Sequence, residues 1–447
     1  MDYFLNRKQE IWLLIFLVAI FFISLSYSFY FQISPAVDAG AYDNIAWNIV
    51  LGNGYRETLD TTIQQDNSII RIGPGYEIFL ALIYYIFGHN YEAVWIIQAL
   101  LSALSALLIF LITKEIFQTR WNYFIGLTAA VLIGFSPDLI TMQGMLMTET
   151  LGIFLIILTS YLFCRYYNAA EKSPVLALWL GLAVGSAALV RTPAAFLFFP
   201  IAVYFLTAKN WKHLFLAGIA ILALFLPWIA RNYQIYGVFA PTNAAAGFNL
   251  LTGNHPGASG EQGDFSVLDR YPSGLNGVQV NKLATNDAIK FILSNPWEFL
   301  KLTIYRISIY FSFARPTGFW FHLSGWSKAV TLTSSAVYSV LLFILGFWGI
   351  WQIRNLEAKE KTLAKIFLAM LVMMPLAVVG IIIETRYRML AYPFFAVFAG
   401  YGLSEFLAKR ISWKPALYLA LLLLTNAVFD ILRNWERIIE RIRDLSY

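Results

Sequence analysis

The chain alternates long apolar stretches, free of Asp, Glu, Lys and Arg, with short polar breaks. The stretches cover residues 11–37, 93–113, 121–137, 150–164, 173–190, 192–208, 214–230, 329–353, 366–383, 389–404 and 415–429. A helix needs about 20 apolar residues to cross a bilayer, so this pattern predicts an all-α polytopic membrane protein with about eleven transmembrane helices. A membrane barrel would instead alternate apolar and polar positions over strands of about ten residues, a pattern the long apolar runs contradict. Residues 74–89, PGYEIFLALIYYIFGH, suit either a tilted span or a helix lying partly in the interface, and their status sets the parity of every later crossing. Residues 295–313 place Trp297, Leu300, Ile304, Ile307 and Tyr310 near helical spacing among Glu298, Lys301 and Arg306. That spacing is expected of an amphipathic helix on the membrane surface. Residues 41–51 read as a second such helix, and residues 249–286, rich in Gly, Asn, Ser and Pro, as a solvated loop with tight turns.

Charge supplies the orientation. If 74–89 does not cross, one side collects Arg7, Lys8, Lys114, Arg120, Arg165, Lys172, Lys209, Lys212, Arg354, Lys359, Lys361, Lys409, Arg410 and Lys414 in short basic loops. The positive-inside rule places these in the cytoplasm. The loops 34–73 and 232–327, the turns at Glu149 and 384–388, and the C-terminal tail then face outward. The first stretch is too long for a signal peptide and lacks a small-residue cleavage site, so a retained anchor is expected. Of the 447 residues, 59% are hydrophobic and 13% charged, which excludes an ordinary soluble enzyme. Cys164 stands alone, so no intramolecular disulfide or cysteine-built metal site can form. The net charge of +6 carries no nucleic-acid signal. No internal repeat or separate soluble domain is visible, and the expectation is one transmembrane domain over 1–447, integral to the cytoplasmic (inner) membrane.

Ionisable residues near a hydrocarbon boundary are costly, so each needs a reason. Asp38 directly follows the first stretch and sets a carboxylate at the outer membrane surface, where it could also cap the helix that follows. Asp43, one turn further on, reads as a solvated helix residue. Glu149 stands at the mouth of a helix with Thr148 available as its cap. Arg386 and Arg388 precede a span that Pro393 is expected to bend, and they could form a fork for phosphate or pair with Glu384. Arg191, Arg231 and Arg71 lie at other outward helix or loop ends, where arginines often snorkel. Together, two acids and several arginines gather on the face where basic residues are normally sparse. Such a set suits an anionic, lipid-linked substrate.

The run DAGAYDNIAWNIVLGNGY resembles the segment that follows the first span in the protein O-mannosyltransferase and aminoarabinose transferase branch of the GT-C glycosyltransferases, of the family 39 or 83 type. GPGYEIFLALIYYIFG, LPWIARNYQIYGVFAPTNAAAGFNLLTGNHPGASG and ETRYRMLAYPFFAVFAGYGL resemble three further segments of that branch, in the same order. One departure stands out: the Asp-Glu pair of the family is Asp38-Ala39 here. The resemblance implies a GT-C fold and an inverting transferase that moves a sugar from a polyprenyl phosphate to an acceptor hydroxyl on the extracytoplasmic face. Asp38 would be the general base, with Glu149 or Asp43 as a second acid or acceptor contact. Arg386, with Arg388, Arg71, Arg191 or Arg231, would hold the donor phosphate. Tyr42, Tyr76, Asn249, Asn254 and His255 would contact sugar or acceptor, His255 as a solvated loop residue rather than a catalyst. No cofactor is expected, and a divalent cation is not favoured because guanidinium groups can carry the electrostatic work. The expected partners are the polyprenyl-linked donor, a glycan, lipid or protein acceptor, and the bilayer. The competing readings are a transporter or flippase of lipid-linked sugars and an O-antigen-ligase-like transferase using a diphosphate donor.

Overall fold

The computed structural model describes residues 6–71, 73–261, 265–315, 321–408, 414–435 and 439. Lys409 and Arg410 lie outside the described residues. The helices in chain order are α1 (Arg7–Phe31), α2 (Asp38–Val50), α3 (Gly75–Phe87), α4 (Tyr91–Ile116), α5 (Asn122–Gly134), α6 (Pro137–Gln143), α7 (Thr148–Asn168), α8 (Pro174–Val190) and α9 (Phe198–Thr207). They continue with α10 (Trp211–Tyr236), α11 (Ala246–Gly253), α12 (Gly277–Ser294), α13 (Pro296–Phe311), α14 (Gly325–Gln352), α15 (Ala358–Val379), α16 (Tyr392–Leu407) and α17 (Lys414–Arg433). Local chemistry starts many of them. Asn6 and Gln9 form a capping box ahead of α1, Asn90 accepts the amides of Glu92 and Ala93 at α4, and Ser136 and Ser173 cap helices that begin with Pro.

This is a multi-pass membrane protein. Among the described residues, 8 helices are long and apolar enough to cross a membrane: α1, α4, α7, α10, α14 with its short extension to Asn355, α15, the segment Thr385–Leu407 that ends in α16, and α17. A further span arises if α5 and α6, bent by 52°, are one broken crossing. The expected crossings at 173–190 and 192–208 appear as shorter apolar helices, α8 and Thr192–Thr207. Each of the eleven stretches thus became apolar helix, three of them short or broken. The undecided segment is α3, whose 13 residues extend about 20 Å, short of the roughly 30 Å hydrocarbon core.

Close helix contacts rest on small residues, as expected where lipid offers no hydrophobic gradient between helices. A Cβ at Gly349 of α14 would collide with the Phe398 carbonyl of α16. Phe311, Phe343, Phe347 and Phe395 then interlock beside that seam with ring centroids 5.1–6.5 Å apart. At the other end of the bundle, a Cβ on Gly75 would come within 2.7 Å of Val190, so the glycine lets α3 lie against the end of α8. Pro393 does not bend a helix. It sits in the first turn of α16, where a missing amide costs nothing, and the chain turns instead in the 3-10 segment Thr385–Ala391.

The loops 34–73 and 232–327 are more ordered than expected. The first contains α2, the helix expected at 41–51, which begins earlier at Asp38, and the second contains α11 and α12 besides the expected α13. α13, Pro296–Phe311, matches the amphipathic expectation in part: Trp297, Leu300, Ile304 and Ile307 are exposed, whereas Tyr310 and Arg306, expected on the membrane surface, are fully buried. α12 was not legible as a helix because turn-rich sequence precedes it, although Asn276 and Gln279 form a full capping box at its start.

Candidate active site

Four chain segments bring ionisable groups together. Asp38 opens α2, Glu149 lies in the first turn of α7, Arg191 follows the end of α8, and Arg386 sits in Thr385–Ala391. Both acids therefore stand where helix dipoles favour negative charge. Neither expected cap is used. The position before α2 falls on Val37, and Thr148 is already helical, its hydroxyl accepting from Arg191 (3.0 Å) and donating to Glu149 (3.3 Å).

Arg386 is the centre of the set. Its Nη2 donates to Asp38 Oδ2 at 3.1 Å, its Nε lies 3.9 Å from Glu149 Oε1, and it also contacts the Glu384 carboxylate. Arg191 holds the same Glu149 oxygen from the other side at 3.3 Å. Glu149 is wholly buried and both arginines nearly so, whereas the Asp38 side chain is 28% exposed. Asp38 opens onto a cleft of about 120 Å³ whose walls are otherwise mostly apolar, including Ile33, Pro35, Met145, Leu146 and Phe321. Just before it, Val37 adopts φ 51° and ψ −114°. A β-branched residue in that region carries about 1–3 kcal/mol of strain, a feature that clusters at functional sites.

Buried polar groups hold the cleft wall in place. Gln98 of α4 donates to the carbonyls of Gln143 (2.7 Å) and Met145 (2.9 Å) and accepts from the Tyr76 hydroxyl (3.0 Å). Gln143 in turn donates to the Trp95 carbonyl at 3.1 Å. The segment between α6 and α7, which carries Met145 to Met147 into the cleft, is thus pinned to α4.

Residues 72–230 match the family model for dolichyl-phosphate-mannose-protein mannosyltransferases, less than half of the chain. No curated protein matches the chain in sequence. Among solved structures, the Archaeoglobus fulgidus oligosaccharyltransferase in its apo form superposes with a TM-score of 0.51 at 14% identity, over 94% of this chain and 55% of that one. The same enzyme in complex with Zn and sulfate gives 0.51 at 15% identity, over 93% of this chain and 52% of that one. The chain has the GT-C fold. It spans about half the length of that archaeal enzyme. ArnT from Cupriavidus metallidurans bound to undecaprenyl phosphate gives a TM-score of 0.40 at 14% identity, over 90% of this chain and 79% of that one.

Within this GT-C fold the remaining candidates divide. Arg71 lies near the set but is engaged by Glu57 in a two-pronged pair (2.8 and 2.6 Å). Burial works against its charge, yet Glu57 and the more distant Asp38 hold its pKa above the usual value. Tyr42 is buried one turn from Asp38, and its phenol is pushed well up, first by burial and then by the Asp38 charge. Tyr76 packs edge-on against Tyr42 at 5.7 Å with its hydroxyl spent on Gln98, so neither ring lies open to a sugar.

Other candidates do structural work. Asp43 is buried rather than solvated: the hydroxyls of Tyr84 (2.6 Å) and Tyr91 (2.7 Å) donate to it and His89 lies at 2.8 Å. This ties α2 to the α3–α4 turn, away from Arg386. Arg388 is fully buried and donates to the backbone carbonyls of Ser312 and Arg315, so it braces the chain after α13 instead of extending a phosphate fork. Arg231 stacks over Tyr55, Trp228 and Tyr236 and donates to the Tyr55 carbonyl at 2.8 Å. Asn254 donates to the Leu250 (2.9 Å) and Ile381 (3.1 Å) carbonyls and accepts from Arg306 (3.0 Å). His255 is buried, its Nδ1 2.9 Å from the Pro256 carbonyl, not solvated. Asn249, half-buried on α11, is not brought to Asp38 by any contact.

Two acids escaped the sequence reading as site members. Glu384, in sequence only an alternative partner for Arg386, is an integral part of the set. Glu77 is fully buried in the first turn of α3, both its oxygens without a hydrogen-bond partner among the described residues. Burial pushes its carboxyl up to about 8, with Tyr55 and Arg71 only partly opposing this. The signal was present, as Glu77 is the sole charged residue within the apolar 74–89 segment. Among the described residues, no three of His, Cys, Asp and Glu are grouped so as to hold a metal ion.

Proposed function

We propose that the protein is an inverting glycosyltransferase that takes a sugar from a polyprenyl phosphate and passes it to an acceptor hydroxyl at the outward membrane surface. The observation that carries this reading is Asp38: a partly exposed carboxylate on an apolar cleft, in contact with a buried guanidinium. The GT-C fold agrees with it. A donor with a polyprenyl tail stays in the bilayer, so its headgroup must be met by polar groups above an apolar groove.

In this mechanism Asp38 accepts the acceptor's hydroxyl proton as the acceptor oxygen attacks the anomeric carbon. The bond from that carbon to the phosphate oxygen breaks on the opposite face, its electron pair stays on the phosphate, and configuration inverts. Arg386 stabilises the growing charge, with Arg71 assisting from the loop after Glu57. Arg191 acts at one remove, holding Glu149 and through it the orientation of Arg386. We assign the phosphate to these guanidiniums rather than to a metal ion.

The test is transfer of labelled sugar from a synthetic polyprenyl phosphate donor by purified protein in detergent. Asp38→Asn, which keeps the shape and removes the basic oxygen, should lower turnover at least 100-fold, the scale of general-base catalysis. Undiminished turnover in a folded Asp38→Asn protein would refute the assignment. Sugar movement across vesicles without transfer would favour a transporter.

A further inference from the structure

The charges around Arg386 do not leave room for an added anion. Arg386 and Arg191 face three carboxylates, those of Asp38, Glu149 and Glu384. Arg191 and Thr148 secure Glu149, which is wholly buried and cannot leave. Glu384 is two residues from Arg386 in the same turn. Asp38 comes from a different helix, is the most exposed of the three and lines the cleft. An arriving phosphate would therefore meet a guanidinium already committed to Asp38, in a set with one surplus negative charge.

We propose that Asp38 and the donor phosphate compete for Arg386, so that donor binding draws the guanidinium off Asp38 and frees that carboxylate to take the acceptor's proton. This rests on the function proposed above and adds an order to it. Before the donor arrives, Arg386 occupies a carboxylate oxygen of Asp38 and keeps it from an acceptor hydroxyl. Once phosphate replaces it, the same carboxylate is open to the cleft, with Arg71 still in electrostatic reach. An uncommitted carboxylate then meets the acceptor only in the donor-loaded enzyme, which guards against unproductive acceptor deprotonation. The coupling is reciprocal: whatever holds Asp38 on Arg386 weakens the donor.

The experiment measures the dissociation constant of undecaprenyl phosphate, without sugar, for the full chain in detergent. Competition predicts that Asp38→Asn and Asp38→Ala bind it about 10-fold more tightly than the wild type, within the usual range of coupling between sites. Glu384→Gln should bind no more tightly than the wild type, because Arg386 freed from Glu384 turns more fully to Asp38. Unchanged or weaker binding by both Asp38 variants overturns the proposal. Equal tightening by Glu384→Gln and the Asp38 variants also overturns it, since that reports only the loss of a negative charge. If the wild type binds no undecaprenyl phosphate at all, the proposed function fails together with this inference. Binding with no gain in the Asp38 variants removes the inference alone.

Discussion

Arg191→Met tests whether the acid behind Arg386 is held by two cations. At an effective dielectric of about 20, Arg191 at 3.3 Å attracts Glu149 by about 5 kcal/mol, and Arg386 at 3.9 Å by about 4 kcal/mol. Removing one partner of a buried ion pair typically costs about 3–5 kcal/mol, because the remaining charge stays desolvated. Arg386 continues to face Glu149, so the lower end, about 3 kcal/mol, is expected. For a chain of this size that corresponds to a fall of roughly 3–6 °C in melting temperature. The assay is thermal unfolding in detergent at a fixed scan rate, with size-exclusion chromatography to show that the variant is monodisperse. Arg386→Met should cost a similar amount. Because each arginine covers for the other, the double variant should lose more than the sum of the two. A melting temperature for Arg191→Met within about 1 °C of the wild type, or strict additivity in the double variant, would refute the reasoning.

Gln98→Leu leaves the Gln143 and Met145 carbonyls unpaired at about 1–3 kcal/mol each, and should raise amide exchange in the 143–147 segment and the KM for donor. Arg388→Met should lower the melting temperature while leaving undecaprenyl phosphate affinity of the folded protein unchanged, since its donors serve Ser312 and Arg315. Asp66 accepts the amides of Glu57, Thr58 and Ser68. Burial alone would raise its pKa, but the Ser68 hydroxyl and these amides outweigh burial and lower it. Its contribution to stability is therefore present above the unfolded carboxylate value and is lost as pH falls through the lower folded one. Exchange of those three amides should rise only in strong acid, and Asp66→Ala should produce that rise at neutral pH. Glu77 runs the other way. With a folded pKa of about 8 it prefers its proton in the folded state, so stability declines as pH climbs from the unfolded value toward 8. Glu77→Gln should match the wild type near pH 4 and exceed it by about 4 kcal/mol near pH 8, read from urea unfolding at both pH values.

Apolar run length made the membrane class and most helices legible, because a span declares itself over about 20 consecutive residues. Bends and short helices were less visible. The break at Phe135 to Ser136 lies inside one charge-free run, and only the Ser-Pro start of α6 marks it. Asp38, Glu149 and Arg386 could be singled out because charge is rare at apolar boundaries, and the fold brings all three together. The same rule could not separate Arg386 from Arg388, two residues apart. Which of them faces Asp38 and which braces a backbone depends on the 3-10 winding of Thr385–Ala391, and that follows from tertiary packing. Asp43 and His255 were misread as solvated for a related reason: the partners that bury Asp43 lie more than 40 residues away in the chain.

Arg306 donates to the carbonyls of Gly253, Gly260 and Val379, and Arg388 does the same for Ser312 and Arg315. A main-chain oxygen is identical whatever side chain it belongs to. These two arginines consequently recognise the path of the surrounding segments and ignore their spelling. At Val379 and Ser312 most substitutions keep the acceptor oxygen in place, while exchange of either clasp for lysine removes the planar fork that several oxygens share. An engineer could therefore rewrite the side chains of 312–314 without losing the path of that segment, provided the clasps and Arg315, which pairs with Glu261 and Asp430, are retained.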